Sequence, residues 1–559
     1  MKHKKAALAI LIVLIIGIVF LFFSIRVLPP QQDLSVINPS LKRIKITNGY
    51  KYGNNWLKKE RPGIWSMYVE GDAFERGYAT GILTKELANQ QETYFVNEIK
   101  KKIPSAFYQF ILKVFVGWFN RNMDEHITEE YKKEIYGTSF FASEKYSYIG
   151  PAYLRLLNYH AAHDIGHAVQ NFSLVACTAL GAWDNYALDS SMYIGRNFDF
   201  YVGDDFAKDK IILFVNPKSG YKFVSVSWGG MIGVLSGMNS AGLTVTLNAD
   251  KSEIPSHTGT PVSIIAREIL QYASTIEEAY AIAQKRTCFV SESFMIGSTK
   301  DRKAAIIEKT PKTTAIYYST TSRIVCANHF QSNALKDTKI NIENKNDSTS
   351  VYRQQRVEEL LTGISKMDEQ QMVSVLRDQL GYKGKRIGMG NEKAINQLVA
   401  HHAIIFKPYK KQVWISTSPF QEGAFMAIDL DKVFEESKNP ESFQSISDKS
   451  RELPADSFLY TPSFEKFIYY HQTALKLSDW LDGVNDTAVS EEEVKRLIAS
   501  NPLYFNGYVL AGDYYVKRSN EKEALKCYQE AVTKELSSVA DRKRIEERIT
   551  KLQKKSSEE

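Results

Sequence analysis

Two features are scarce in this chain of 559 residues, and each absence removes a class of protein. It has four cysteines, Cys177, Cys288, Cys326 and Cys527, too few for a disulfide scaffold at this length. Cys288 and Cys326 both sit in strand-like runs and are the two that an oxidising compartment could join. There is also no block of Lys and Arg interleaved with aromatics. The net charge of +7 is diluted over the whole length, with part of it on lysines at the two tails, so no nucleic-acid binding is expected.

Other features are present in quantity. The length suggests roughly three or four structural units. Aromatics reach 12%, with 31 Tyr and 29 Phe, which is ample material for large cores and an apolar pocket. Residues 6–25 form an uncharged, mostly apolar run of 20, enough to cross roughly 30 Å of hydrocarbon. Lys2, Lys4 and Lys5 precede it, which predicts a cytoplasmic N-terminus with the rest of the chain carried across. The exit "FFSIRVLPP" is a poor cleavage site, so an uncleaved, single-pass anchor is expected, with an extracytoplasmic body.

Hydrophobic periodicity divides the remainder. After a cytoplasmic tail (1–5) and the anchor (6–25), residues 26–55 look like a linker and 56–176 mainly helical. From about 172 to 330 the period changes to short strands separated by turns, interrupted by two helices, "PVSIIAREILQYA" and "TIEEAYAIAQKR". Strands in runs with helices in pairs predict a layered α+β sandwich, placed at 177–440. Residues 455–559 read as helical. There Gly512, Tyr515, Ala524, Tyr528 and Ala531 stand at tetratricopeptide-repeat spacing, a surface on which a protein partner could dock.

The chemistry gathers around "NFSLVACTALGAWDN" and "SMYIGRNFDF". If the two runs form a hairpin centred near Leu188, antiparallel pairing sets Cys177 opposite Asp199. A carboxylate beside a thiol raises the thiol pKa, which suits a nucleophile only if Asp199 holds a cation such as a free α-ammonium on Cys177. Arg196 could stabilise a thiolate, but it differs from Asp199 in strand parity.

These residues, together with "SGMNSAGLTVTLN", "CANHF" and "DSTSVYRQQR", resemble the choloylglycine hydrolase and penicillin V acylase superfamily. The resemblance is nearest to its acyl-coenzyme A:6-aminopenicillanic acid acyltransferase branch (peptidase family C45), and "GDAFERGYATG" upstream fits the same branch. It implies a four-layer αββα N-terminal-nucleophile hydrolase with a helical pro-segment (56–176), cut by itself before the cysteine. On this basis Cys177 is the nucleophile, and Arg196 and Asp199 position and activate it. Asn239 and Asn328 hold an oxyanion, with Asn248 a weaker candidate. Arg353, or its rival Arg356, braces the site. No cofactor or metal is implied. The expected substrate is a small acylated amide with an apolar acyl chain: an N-acyl amino acid, a bile-salt-like conjugate, an acyl-β-lactam or a lipid amide.

Two rival functions remain, an unprocessed Cys/His hydrolase with His329 as base, and an assembly protein built on a degenerate hydrolase body. His160, His163 and His167 share one helical face, where zinc could bind, but packing beneath the site is the expected role. His401 and His402 are expected to be structural. Phe110, Phe115, Trp118 and Phe119 are expected to be core.

Overall fold

The structure is a computed structural model that describes residues 27–162, 164–165, 175–437, 439 and 445–558. The expected anchor at 6–25, as well as His163 and His167, lies outside the described residues. Among those described, no helix is long and apolar enough to cross a membrane.

Four strands come first, β1 (Ile44–Ile46), β2 (Gly49–Tyr52), β3 (Asn55–Arg61) and β4 (Ile64–Gly71), followed by helices α1 (Ala73–Lys102), α2 (Ala106–Phe119), α3 (Glu129–Ser139) and α4 (Ala152–His160). Next are strands β5 (Val175–Trp183), β6 (Met192–Phe200), β7 (Lys210–Pro217), β8 (Phe223–Ser227), β9 (Ser236–Asn239) and β10 (Leu243–Asp250). Helices α5 (Val262–Tyr272) and α6 (Ile276–Lys285) lead into β11 (Ser291–Ser298), β12 (Lys303–Lys309), β13 (Thr314–Tyr317) and β14 (Arg323–Cys326). Then come α7 (Lys339–Asp347), α8 (Ser350–Thr362), α9 (Glu369–Leu376), β15 (His402–Lys407), β16 (Gln412–Ser416), β17 (Phe425–Asp429) and α10 (Leu430–Glu436).

The strands make two sheets: eleven in the order β1-β2-β3-β4-β7-β8-β9-β10-β11-β12-β13, and six in the order β14-β5-β6-β15-β16-β17. Alternation along the strands builds three cores. Trp56, Phe214 and Met238 of the large sheet meet Ile194, Phe406 and Ile415 of the small one. Residues of opposite parity on the large sheet, such as Leu57, Leu213 and Leu247, pack under the first helices and α5 and α6. On the small sheet Tyr193, Ala403 and Ile405 pack against residues of α8 and α9 such as Val357 and Leu376. The layers are therefore helix, sheet, sheet, helix. β6 is buried at all nine positions because it lies inside its sheet with a layer on either side.

Residues 44–71 differ from expectation. The stretch expected as linker and helix forms β1–β4, and β4 pairs in parallel with β7 over eight registered positions, from Ile64↔Lys210 to Gly71↔Pro217. Trp56 and Tyr68 face one side of the sheet while Leu57 and Met67 face the other. This two-residue period makes a strand and leaves no single apolar stripe for a helix.

The "GDAFERGYATG" segment starts α1 with a capping box between Asp72 and Glu75. Gly77 is fixed by close approach of α3, since a Cβ there would lie 1.9 Å from the Glu134 carbonyl oxygen.

The C-terminal helices are α11 (Pro462–Leu481), α12 (Glu491–Ser500), α13 (Phe505–Lys517), α14 (Glu521–Ala531) and α15 (Val539–Glu558). They surround their own core, in which Tyr515 and Tyr528 are buried. Gly512 lies under the Tyr528 ring, where a Cβ would be 2.4 Å from the nearest ring atom.

Candidate active site

Cys177 lies near the start of β5, fully buried. The hairpin register pairs Cys177 with Phe198 and Ala176 with Asp199, one position away from the expected pairing. The connection runs from Asp184 to Ser191, so its centre falls between residues 187 and 188, and each partner moves by one. The slip settles the parity question. Arg196 pairs with Ala179, two residues from Cys177, and so projects from the same face of the sheet. Asp199 pairs with the residue immediately before the cysteine.

The groups around Cys177 hold both its nitrogen and its sulfur. The Arg196 guanidinium donates to Cys177 Sγ at 3.3 Å and is itself fixed by Ser236 Oγ at 2.5 Å and by the carbonyls of Leu235 and Leu247. Asn328 Oδ1 accepts from the Cys177 backbone N–H at 3.0 Å, while its Nδ2 donates to the Ala249 carbonyl at 2.7 Å. From α8, Arg353 donates to the Cys177 carbonyl at 2.6 Å, to Thr178 Oγ1 at 2.7 Å and to Asn328 Oδ1 at 2.6 Å. Five of the sequence candidates thus converge: Cys177, Arg196, Asp199, Asn328 and Arg353.

Asn239 does not join them. Its amide donates to the carbonyls of Leu270 and Ala273, and its oxygen accepts from Ala241 and Leu243, so the side chain is committed to the β9–β10 turn and the end of α5. The site lies at the other end of β10, where Asn248 donates to the carbonyls of Cys326 and Ala327. Arg356 points away and pairs with Asp378 and Glu359.

His160, His329, His401 and His402 are engaged elsewhere. His329 Nδ1 is 2.7 Å from Ser350 Oγ, and burial, with Lys345 and Arg353 adding, lowers its pKa to about 4. His160 uses both ring nitrogens, on the Leu156 carbonyl and the Ile232 N–H. His401 and His402 touch through their Nδ1 atoms at 3.0 Å, and His402 Nε2 reaches Ser236 Oγ at 2.9 Å. The adjacent pair therefore meets instead of pointing in opposite directions. Among the described residues no cluster of His, Cys, Asp or Glu is arranged to hold a metal, and all four cysteines are free, Cys288 and Cys326 included.

The electrostatics are those of an uncut chain. Burial pushes the Cys177 thiol up to about 11, against the pull of Arg196, with Asp199 and Glu292 adding to the rise. Burial also raises Asp199 to about 7, against Arg353 and Arg196, and among the described residues neither of its carboxyl oxygens has a hydrogen-bond partner. Glu292 escaped the sequence reading. Its carboxyl is fully buried with both oxygens unpartnered, and burial, reinforced by Asp164 and Asp250, holds it well above the carboxylate range. No motif marks it, because its β11 position becomes informative only once β10 is set alongside.

Beside Cys177, Phe198 stacks on Phe200 with 5.4 Å between ring centroids. Phe200 lines a largely apolar cleft together with Phe95, Phe141, Leu156, Phe206 and Trp228.

This is a four-layer α+β sandwich with a cysteine gripped near the start of an inner strand. Residues 187–419 match the family model of acyl-coenzyme A:6-aminopenicillanic acid acyl-transferase, so the resemblance read from the motifs holds over that segment, whose matched span begins ten residues after Cys177. An uncharacterized protein of Archaeoglobus fulgidus is 25% identical over 271 residues, 46% of this chain and 45% of that one. Protein dcd1B of Dictyostelium discoideum is 25% identical over 258 residues, 43% and 49% of the two chains. The chain thus spans about half the length of these curated relatives. A conjugated bile acid hydrolase of Clostridium perfringens aligns over 46% of this chain and 93% of its own, at 14% identity and a TM-score of 0.33.

Proposed function

We propose that the protein is a cysteine amide hydrolase or acyltransferase that activates itself by cutting before Cys177. The observation that carries this reading is the hold on both atoms of an N-terminal nucleophile. Asn328 Oδ1 takes the Cys177 nitrogen, Arg196 takes the sulfur, and the unpartnered Asp199 lies against Ala176.

In the uncut chain Sγ attacks the Ala176 carbonyl carbon. The peptide C–N bond breaks, the acyl group passes to sulfur, and the nitrogen leaves as the Cys177 amine. Water then hydrolyses the thioester, which restores the thiol and gives Ala176 a carboxylate. Removal of Ala176 opens the place opposite Asp199 to the new α-ammonium. An ammonium there compensates the buried carboxylate and lowers its pKa. The neutral amine, with an ordinary pKa of about 7.7–8.0, serves as base for its own thiol.

Turnover follows the same chemistry. The thiolate attacks an amide carbonyl, an acyl-enzyme forms and the amine leaves. Water or a second amine then takes the acyl group. The apolar cleft beyond Phe198 suits the acyl chain of an N-acyl amino acid, bile-salt-like conjugate, acyl-β-lactam or lipid amide. An unprocessed Cys/His mechanism lacks a base, because His329 is bound to Ser350 and holds little affinity for a proton. Strands β1–β4 belong to the large sheet, so the cut segment stays docked, and residues 6–25 anchor it with the body extracytoplasmic. The α13–α14 hairpin, a tetratricopeptide-like pair, is proposed as the partner-binding tail.

Intact mass and N-terminal sequencing of wild type beside Cys177→Ala tests the cut. The expected result is two fragments in the wild type, the larger beginning Cys-Thr-Ala-Leu, and one chain in the variant. A single uncut chain in both overturns the reading.

A further inference from the structure

Helix α2 is apolar on two opposite faces, and one of them packs on nothing among the described residues. Gln109, Leu112, Val116 and Phe119, spaced for one helical stripe, are partly covered, and Phe119 meets Phe289 edge-on at 5.7 Å. The opposite stripe is open. Phe107 is 66% exposed, Phe110 59%, Phe115 54% and Trp118 45%, with Tyr108 and Ile111 beside them. Single exposed hydrophobics are ordinary on a protein surface, but a contiguous aromatic face on one helix is not. A helix apolar all round belongs in a core or in lipid, and only half of this one reaches a core. Nearby, Ile254 is 81% exposed on a loop tied to the end of α2 through the Thr258–Asn120 hydrogen bond.

Along the chain this segment carries charge of one sign, although Lys101 is paired with Asp479 at 2.8 Å. No Asp or Glu occurs between Glu98 and Asp124, whereas Lys100, Lys101, Lys102, Lys113 and Arg121 all do. Lys100, Lys102 and Lys113 are exposed, and the Arg121 guanidinium lies over the Trp118 ring at 4.5 Å. Aromatic side chains rimmed by cations fit the boundary between acyl chains and anionic headgroups.

We propose that this face of α2 seats the protein on an anionic phospholipid surface, with Phe107, Phe110, Phe115 and Trp118 in the acyl boundary and the lysines at the headgroups. The seat is independent of residues 6–25 and of the chemistry at Cys177. The helix follows α1, which lines the apolar cleft through Gln91, Glu92 and Phe95.

Because residues 6–25 would by themselves hold the chain on vesicles, the test reads Trp118 instead of sedimentation. The full chain is reconstituted in phosphatidylcholine–phosphatidylglycerol vesicles with plain or brominated acyl chains. The Trp118 signal is taken as the difference between wild type and Trp118→Phe. The expected result is a blue-shifted Trp118 emission that is largely lost in brominated lipid. That quenching weakens when phosphatidylglycerol is omitted or salt is raised, and again in Phe110→Glu/Phe115→Glu, whose thermal unfolding is unchanged because both side chains are exposed. A Trp118 signal identical in plain and brominated lipid overturns the proposal. So does an unquenched Trp118 in a dimer that Phe110→Glu converts to monomer, which would make this face a contact between two copies.

Discussion

The molecule buries two clusters of opposite charges, and they are built on different terms. At the α1–α3–α5 junction Glu134 receives Arg76 at 2.7 Å and Arg267 at 3.2 Å, Glu130 receives Arg76 at 2.9 Å, and Gln271 and Tyr272 complete the shell. Burial works against the charge on Arg76, but Glu134 and Glu130 outweigh it and hold the guanidinium above its ordinary range. At the β5–β6 site Arg196 and Arg353 are also bonded, yet the nearby carboxyls of Asp199 and Glu292 have no hydrogen-bond partner among the described residues. A buried charge normally requires a partner. The first cluster meets that requirement within the folded chain. The second leaves it to be met by chemistry that creates a new cation.

The contrast breaks most visibly at Asp199. Asp199→Asn keeps the shape and removes the charge that would hold the α-ammonium freed by the cut, so turnover of the cut enzyme is expected to fall by about 10²–10⁴-fold, the usual cost of losing an acid–base arrangement. Amide hydrolysis per cut chain measures it, and a cut variant that turns over at the wild-type rate would remove Asp199 from the mechanism. Glu134→Gln is the mirror case. It leaves the buried Arg267 without a carboxylate and Arg76 with Glu130 alone, and is expected to cost about 3–5 kcal/mol of stability, read as a lower urea midpoint, while the cutting rate of the folded fraction is unchanged.

Much of this second cluster was legible in the sequence because its residues lie in short motifs with strong local signals. Cys177, Arg196 and Asp199 fall on two strands of one hairpin, and Asn328 and Arg353 lie in nearby loops and helices of the same segment. What failed were the long-range facts. The register slipped by one because an eight-residue connection has no turn residue that fixes its centre. Asn239 ends β9 at the β9–β10 turn while Asn248 lies near the far end of β10, and motif spacing does not say which end faces Cys177. The strands at 44–71 were hidden because the partner of β4, β7, lies 146 residues further along the chain in the pair Ile64↔Lys210. The aromatic residues of α2 matched a core helix in pattern, and only the packing shows that half of it is uncovered.

A pH experiment sharpens the comparison at intermediate scale. In the uncut Cys177→Ala background, Asp199 in the folded chain has a pKa raised by burial to about 7, against an ordinary 3.8. The folded state therefore keeps a proton that the unfolded chain has released. Stability is greatest at low pH on this account and falls as pH rises between about 4 and 7, by up to about 4 kcal/mol. Adding Asp199→Asn to that background is expected to remove the fall. Urea midpoints with and without it then converge at low pH and separate at neutral pH, where the asparagine variant is the more stable. Parallel curves would mean that Asp199 is not buried as a lone carboxyl.

The smallest effect comes from two arginines three positions apart on α8. Arg353 turns inward to Cys177, Thr178 and Asn328, whereas Arg356 clasps Asp378 and Glu359 nearer the surface. A lysine keeps the charge but loses the planar fork. Arg356→Lys gives up the bidentate fork of a buried arginine to Asp378 while keeping the charge, which costs one charge-assisted hydrogen bond, about 1.5 kcal/mol, and leaves the rate of cutting at the wild-type level. Arg353→Lys cannot reach three acceptors at once, so it loosens the Cys177 carbonyl and the Asn328 side chain together and slows the cut while shifting the urea midpoint little. If the two variants prove equal in rate, the inward arginine is packing and Asn328 alone orients the nitrogen.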